Sequence, residues 1–315
     1  MCITVVGSIN TDIVALTDDY PLRGETIFGK KIEFLPGGKG GNQATAVAKL
    51  GEKVNIIGSV GQDLYGDNVI NTLKKNNVTT KFIKRSNEFA TGTAIITIDQ
   101  TAENTMLVLK GANDDLLPAD IENAFFKLQE SKVLLVQMEV PQETVIRAMQ
   151  IAKEKGMYII LDPAPAEGIT MKALEYADVI TPNRQETKHM IGIEVNDIES
   201  ALHAARTFEK MGVKNSIIKM AEKGSLVYQS GQWEYVKAIP VKPVDTVGAG
   251  DAFAGALACG IATGKDLVSA VEYATIVGAL KVTKLGAQTG IPTLDEVNKF
   301  CEEKNISQTK LEKSR

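Results

Sequence analysis

The chain has 315 residues, 44% of them hydrophobic and 23% charged, with a formal net charge of −4. That balance fits a globular protein of one large or two modest domains and excludes a basic nucleic-acid-binding surface. Three scattered cysteines, Cys2, Cys259 and Cys301, make neither a disulfide framework nor a metal cluster, and no apolar run approaches the ~20 residues of a membrane helix, so a reducing cytoplasm is the expected setting.

The opening MCITVVGSIN lacks a basic leader and reads as a first strand, over 3–6. Residues 12–36 then alternate apolar and polar, as in Thr26-Ile27-Phe28-Gly29 and Ile32-Glu33-Phe34, which predicts antiparallel hairpin strands. A helix is expected over 41–50, a strand over 54–60 and a helix over 64–76. Residues 91–109, TGTAIITIDQTAENTMLVL, read as a second hairpin around a polar turn. Helices at 118–129 and 141–155 then alternate with strands at 133–137 and 158–161. Strands follow at 179–181, 216–219 and near 241–244, with helices at 184–191 and 198–211. Helices at 251–263, 266–284 and 294–302 close the chain, and a lysine-rich tail, 304–315, is expected to be flexible. Most of the strands are continuous apolar runs, the pattern of strands covered on both faces. The strand–helix–strand rhythm implies an α/β fold with a parallel sheet and right-handed crossovers. The two hairpins suit one small sheet beside the large one, either a lid over the strand ends or a plain edge extension.

Ligands of open α/β sheets bind beyond the carboxyl ends of the strands. Polar residues follow several of those ends: Asn10 and Asp12, Glu139, Asp162, Asn183 and Glu186, then Asp245 and Thr246. Any one of them could merely cap a helix or make a turn; together on one rim they point to a site. Gly37-Gly38-Lys39-Gly40-Gly41-Asn42 precedes a helix and combines close backbone approach with the donors Lys39 and Asn42. Gly248-Ala249-Gly250 also precedes a helix, whose start favours an anion. Asp251 then has two readings: a residue that complements the helix dipole, or a general base beside a phosphoryl group in transfer. GIATGK at 260–265 falls short of a P-loop in glycine spacing and has Asp266 where Ser or Thr is required, so it reads as a helix C-terminal turn. The two histidines, His189 and His203, suit surface helix positions, and neither a G-x-S-x-G elbow nor a GxGxxG loop occurs.

The motifs GSINTD at 7–12, GGKGGNQA at 37–44, DPAPA at 162–166, TPNRQE at 181–186, VDTVGAGDAFAGAL at 244–257 and KLGAQ at 284–288 follow one another in the order of a known family. Over about residues 3–303 the chain resembles the ribokinase-like (phosphofructokinase B-type) carbohydrate kinases. The resemblance implies a doubly wound, mostly parallel α/β domain flanked by helices, over 1–303. It also implies a small β-sheet lid from about 12–36 and 91–109, often used to form a homodimer. It implies transfer of the γ-phosphoryl of ATP to a sugar hydroxymethyl group with Mg2+, D-ribose phosphorylated at O5 being the expected substrate. Asp251 matches the catalytic base, and Gly248, Ala249 and Gly250 the anion hole. Asn10, Asp12, Gly38, Lys39, Asn42 and Glu139 match sugar contacts. Asn183 and Glu186 match the pair that organises magnesium and phosphates, and Lys219 and Gly224 fall in the nucleotide segment. A potassium-like ion would be held by Asp245 and the carbonyls of Val247, Lys281, Lys284 and Gly286. Two departures stand out. Lys219-Met220-Ala221-Glu222-Lys223-Gly224 replaces a T-L-G-x-x-G pattern, and Gly290 stands where a serine ligand of the monovalent ion is expected. Two alternatives remain: a kinase for 2-deoxyribose, adenosine or fructose, and a non-catalytic sugar sensor on the same fold.

Overall fold

In the computed structural model, which describes residues 2–101, 103–128 and 130–306, the apolar runs form the centre of a nine-stranded sheet. In chain order the strands are β1 (Cys2–Val6), β2 (Asn10–Leu16), β3 (Lys31–Gly37), β4 (Lys53–Gly61), β5 (Thr79–Ser86), β6 (Gly92–Ile98), β7 (Asn104–Leu109), β8 (Val133–Val136), β9 (Tyr158–Leu161), β10 (Val179–Ile180), β11 (Asn215–Lys219), β12 (Ser225–Gln229) and β13 (Gln232–Val236). The helices are α1 (Lys39–Lys49), α2 (Leu64–Lys75), α3 (Pro118–Lys127), α4 (Gln142–Glu154), α5 (Met171–Leu174), α6 (Arg184–Ile191), α7 (Ile198–Lys210), α8 (Ala249–Ala262), α9 (Leu267–Lys281) and α10 (Leu294–Glu303).

The large sheet runs β13-β12-β11-β10-β9-β8-β1-β4-β5, parallel from β11 to β5 and antiparallel at β11-β12-β13. Its central strands β1, β8, β9 and β10 are nearly all apolar because both faces are buried. Val5, Ile56 and Leu135 join a core with Ala46, Leu257 and Val277, while Val6, Ile57 and Val136 join one with Phe125, Met149 and Phe208. On the first face α1 and α8 come so close that a Cβ on Gly255 would lie 2.6 Å from the Cβ of Ala46. That contact sets the two helix starts side by side. GIATGK ends α8 in a left-handed turn at Gly264, with the Lys265 N–H donating to the Gly260 carbonyl.

The expected small sheet is present, in the order β3-β2-β6-β7. Each hairpin is antiparallel, and a parallel β2–β6 pairing joins them. Residues 26–29 are not a strand, contrary to their alternating pattern. They lie in the long β2–β3 loop, where Phe28 is 99% exposed, past the last β2–β3 pair of Leu16 with Lys31. The strand expected near 241–244 is also absent. Pro240 and Pro243 cannot donate to a ladder there, and the edge of the sheet is instead β12–β13. That hairpin turns on Ser230-Gly231, both with positive φ, the backbone of a tight I′-type turn. Of the expected tail, 307–315 lie outside the described residues, and Ile306 packs against the core.

Asp63 ties the two sheets together. It caps α2 by accepting from the Gly66 N–H at 2.8 Å, and it also accepts from the Thr91 N–H and hydroxyl, each at 2.7 Å, at the entry to β6. Burial works against its charge, but the hydrogen bonds from Thr91 and Gly66 and the nearby Arg85 outweigh it and hold the carboxyl below its ordinary range. A carboxyl depressed on folding stabilises the protein above its unfolded-state range, and this stabilisation is lost as pH falls through the folded value. Asp63→Ala is expected to cost about 2 kcal/mol of unfolding free energy near neutral pH, and less in acid, by urea titration at both pH values.

Candidate active site

The charged centre lies where α1 and α8 begin. Asp251 is in the first turn of α8 and 6% exposed. One of its oxygens accepts from the Asn42 amide at 2.8 Å and the other from the Gln43 amide at 3.1 Å. Burial pushes its carboxyl above the ordinary range, opposed chiefly by Lys39 and the Asn42 hydrogen bond. Gly248, at φ 76°, makes the left-handed turn into the helix. A Cβ on Gly250 would meet no atom within 4 Å, so a ligand can reach the backbone there, whereas the Ala249 N–H is taken by the Thr246 carbonyl. The free first-turn donors of a helix and its positive end make such a turn an anion seat.

Around Asp251 the other expected residues fall into three groups. The first is built on β2 and α1. Asn10 is fixed by Asn113, whose amide nitrogen donates to it at 2.7 Å and whose oxygen accepts from the Ile9 N–H at 2.9 Å. Glu139 accepts from the Ser8 hydroxyl and from the Lys39 N–H. Gly38 caps α1 directly ahead of Lys39. Asp12 has its carboxyl pushed up to about 7, by burial first and then by Glu139 and Asp251. Burial also works against the charge of Lys39, but Asp251, Glu139, Asp162 and Glu186 outweigh it and hold the ammonium above its ordinary range.

The second group lies at β10 and β11. Asn183 and Glu186 form a reciprocal capping box at the start of α6, at 2.8 and 2.7 Å. Burial, with Asp162 adding and Lys219 opposing, pushes the Glu186 carboxyl up. Lys219 turns its ammonium inward to Asp162, at 3.2 Å. Ala221 has φ 53°, the left-handed backbone that suits the glycine of the T-L-G-x-x-G pattern. Gly224 lies against β13, where a Cβ would come 2.2 Å from the Val236 carbonyl oxygen.

The third group is the Asp245 turn. The carboxylate of Asp245 accepts from the Val247 N–H at 2.9 Å and the Gly286 N–H at 2.7 Å. The Lys281 ammonium, its side chain 0% exposed, donates to the Asp245 carbonyl at 3.0 Å and lies 3.7 Å from its carboxylate. The carbonyls of Lys281 and Gly286 already accept from the N–H groups of Lys284 and Gly290. Of the acceptors expected for a potassium-like ion, Asp245 is thus already served by a side-chain cation and the Lys281 and Gly286 carbonyls by backbone N–H groups.

Sequence reading passed over the residues that hold these groups in place. The Gln43 amide bridges Asp251 and Asp162, donating to Asp162 at 3.0 Å, while its oxygen accepts from Gln137. Gln43 follows Asn42 on α1, and Asp162 was visible as a polar strand end. Asn113 carries no local signal for its role at the site, since Ile9 and Asn10, which it fixes there, lie over a hundred residues away. A cavity of about 690 Å³ lined by Lys132, Lys155 and Tyr158 shares no residue with this site.

A buried carboxylate beside a helix-start turn open to a ligand, with polar side chains gathered at the strand ends of a doubly wound sheet, is an arrangement that suits phosphoryl transfer to an alcohol. The comparisons with known proteins agree. Residues 2–294 match the model of the pfkB family of carbohydrate kinases, and the chain belongs to that family. It is 37% identical over 299 residues to the ribokinase of Bacillus subtilis, covering 95% of this chain and 98% of that protein. It is 35% identical over 301 residues to a deoxyribokinase of Salmonella typhi, covering 95% and 98%. A solved ribokinase of Arabidopsis thaliana, complexed with ribose and ATP, superposes with a TM-score of 0.85 at 29% identity over 95% of this chain and 97% of that one. The chain is thus a sugar kinase. Among the described residues no helix is long and apolar enough to cross a membrane.

The raised Asp12 carboxyl has a testable consequence. The folded state holds its proton from the ordinary carboxylate range up to about 7, while the unfolded chain has released it. Stability therefore falls as pH rises across that window. Asp12→Asn is expected to stabilise the ligand-free protein above the window and to leave it nearly unchanged below it. Denaturant melts of both proteins at the two pH values check this, and an equal effect at both would refute the assignment.

Proposed function

We propose that this kinase transfers the γ-phosphoryl group of ATP to O5 of D-ribose, giving D-ribose 5-phosphate and ADP, with Asp251 as the general base. The observation that carries the reading is the buried Asp251 carboxylate, held by Asn42 and Gln43 beside the open backbone of Gly250. A carboxylate raised by burial takes a hydroxyl proton more readily than an exposed one. The Gly248-Ala249-Gly250 turn would then receive the charge that spreads over the transferred group at its open Gly250 backbone, and the Ala249 N–H would join it only by leaving the Thr246 carbonyl.

Asn10, Asp12, Gly38, Lys39, Asn42 and Glu139 would orient the sugar. Asn42 Oδ1 is buried with no partner among the described residues, an acceptor that a sugar hydroxyl would satisfy. Asn183, Glu186, Lys219 and Gly224 would line the ATP side. Bound magnesium supplies positive charge to the phosphates. Glu186, with Asn183 beside it, would help to hold it, and no cage of three acidic, histidine or cysteine ligands exists among the described residues. The setting is the cytoplasm, in keeping with three free thiols. A homodimer forms through the small sheet, where every residue of β7 is exposed and Ile32 and Phe34 add apolar surface.

A second reading, 2-deoxyribose as substrate, is favoured by the 35% identity to a deoxyribokinase, close to the 37% for a ribokinase. ADP release measured over ribose, 2-deoxyribose, adenosine, fructose and tagatose separates them. Ribose is expected to give the highest kcat/KM; a preference for another sugar overturns the ribose assignment, and turnover of none overturns the kinase reading. Asp251→Asn is expected to lose ~10²–10⁴-fold in kcat while retaining sugar binding. A variant of near-parental rate would reduce Asp251 to a helix-start charge.

A further inference from the structure

We propose that the Lys281 ammonium is the resident cation of the Asp245 turn, so that this enzyme works without an added monovalent cation. The inference rests on the reading above, in which that turn positions the Gly248–Gly250 anion seat. It departs from the resemblance, which implies a potassium-like ion at this place.

The charge and the space both point to the lysine. Asp245 is the one carboxylate in the expected ligand set, and the buried Lys281 ammonium lies on it, 3.0 Å from the carbonyl and 3.7 Å from a carboxylate oxygen. Both carboxylate oxygens also accept backbone N–H groups, from Val247 and from Gly286. A second monovalent cation would face the ammonium at short range with little water to screen the repulsion. The loop after α9 is closed as well. The Gly290 N–H donates to the Gly286 carbonyl at 3.0 Å. A Cβ on Gly290 would lie 2.6 Å from that oxygen and 3.0 Å from the Leu285 and Lys284 oxygens. The serine ligand expected there would need a more open loop than this one.

The same contacts give the ammonium its task. The N–H groups of Val244 and Asp245 donate to the Val282 carbonyl, at 2.7 and 3.1 Å, and Lys281 adds a charged tie from the end of α9 to the Asp245 carbonyl. The chain runs from there through Thr246 and Val247 into Gly248 and the start of α8. Lys281 is thus a positioning residue: it fixes the turn, and the turn presents the backbone of Gly248–Gly250.

The test compares potassium chloride with tetramethylammonium chloride at equal ionic strength, on the full chain, reading both initial rate and melting temperature. An ion that binds the folded state raises the melting temperature. The parent protein is expected to show no rise with potassium and less than about twofold change in rate. Lys281→Met is expected to lose about tenfold in rate in potassium-free buffer, the scale of one charge-assisted hydrogen bond, and to regain part of it, with a higher melting temperature, when potassium is added. A parent whose melting temperature or rate climbs with potassium overturns the proposal, whether or not the variant folds. So does a folded Lys281→Met protein of parental rate in potassium-free buffer. Melting is read independently of turnover, so a chain that phosphorylates no sugar would fail the functional reading without deciding this one.

Discussion

The structure turns on one buried charge. Asp251 lies at the start of a helix that is apolar on all sides, and burial alone would neutralise it. That push is opposed, though not overcome, by the Lys39 ammonium and by the amides of Asn42 and Gln43, all carried on α1. The close approach of α1 and α8 at Gly255 is therefore more than packing, because it sets the donors on the carboxylate. A shift of either helix would leave Asp251 as an unpaired buried charge, one of the costliest defects a core can carry.

The cluster around it is negative in sum. Asp12, Glu139, Asp162, Glu186 and Asp251 face Lys39 and Lys219, and the carboxyls of Asp12, Glu186 and Asp251 are pushed up, by burial first and then by their acidic neighbours. A polyphosphate cannot enter such a cluster without cations of its own, which fits a nucleotide brought in with a divalent ion. The Asp245 turn is different, for there a lysine side chain already balances the carboxylate. Under the proposal made for Lys281, the two cation requirements that the resemblance presents together would separate in this chain, one belonging to the substrate and the other built into α9.

The strands of the central sheet were legible because burial on both faces leaves continuous apolar runs such as β8 and β9, and a helix start was legible where Asn183 precedes it as a cap. β12 and β13 escaped because an exposed edge hairpin such as Gln232–Val236 needs only one apolar face, and its Ser230-Gly231 turn is a weak signal. Residues 26–29 misled for the opposite reason, since alternation has no meaning without a neighbouring strand to pair with. At the site, the residues of the glycine turns and strand ends could be named in advance. The residues that hold them, Gln43 and Asn113, could not, because each acts across more than a hundred positions. Lys281 was legible only as a backbone carbonyl; where its ammonium ends depends on how α9 meets the Asp245 turn.

The central claim is that Asp251 is the proton acceptor and that Lys39 opposes the loss of its charge. The pH profile of kcat/KM for Lys39→Met against the parent tests it most directly, because its acidic limb reports the free enzyme's base. Loss of the ammonium removes the largest influence that holds Asp251 down, whereas Lys39 is not among the causes that raise Asp12. The account predicts an acidic limb displaced to higher pH in the variant. A limb at the parental position, however slow the variant, would contradict it.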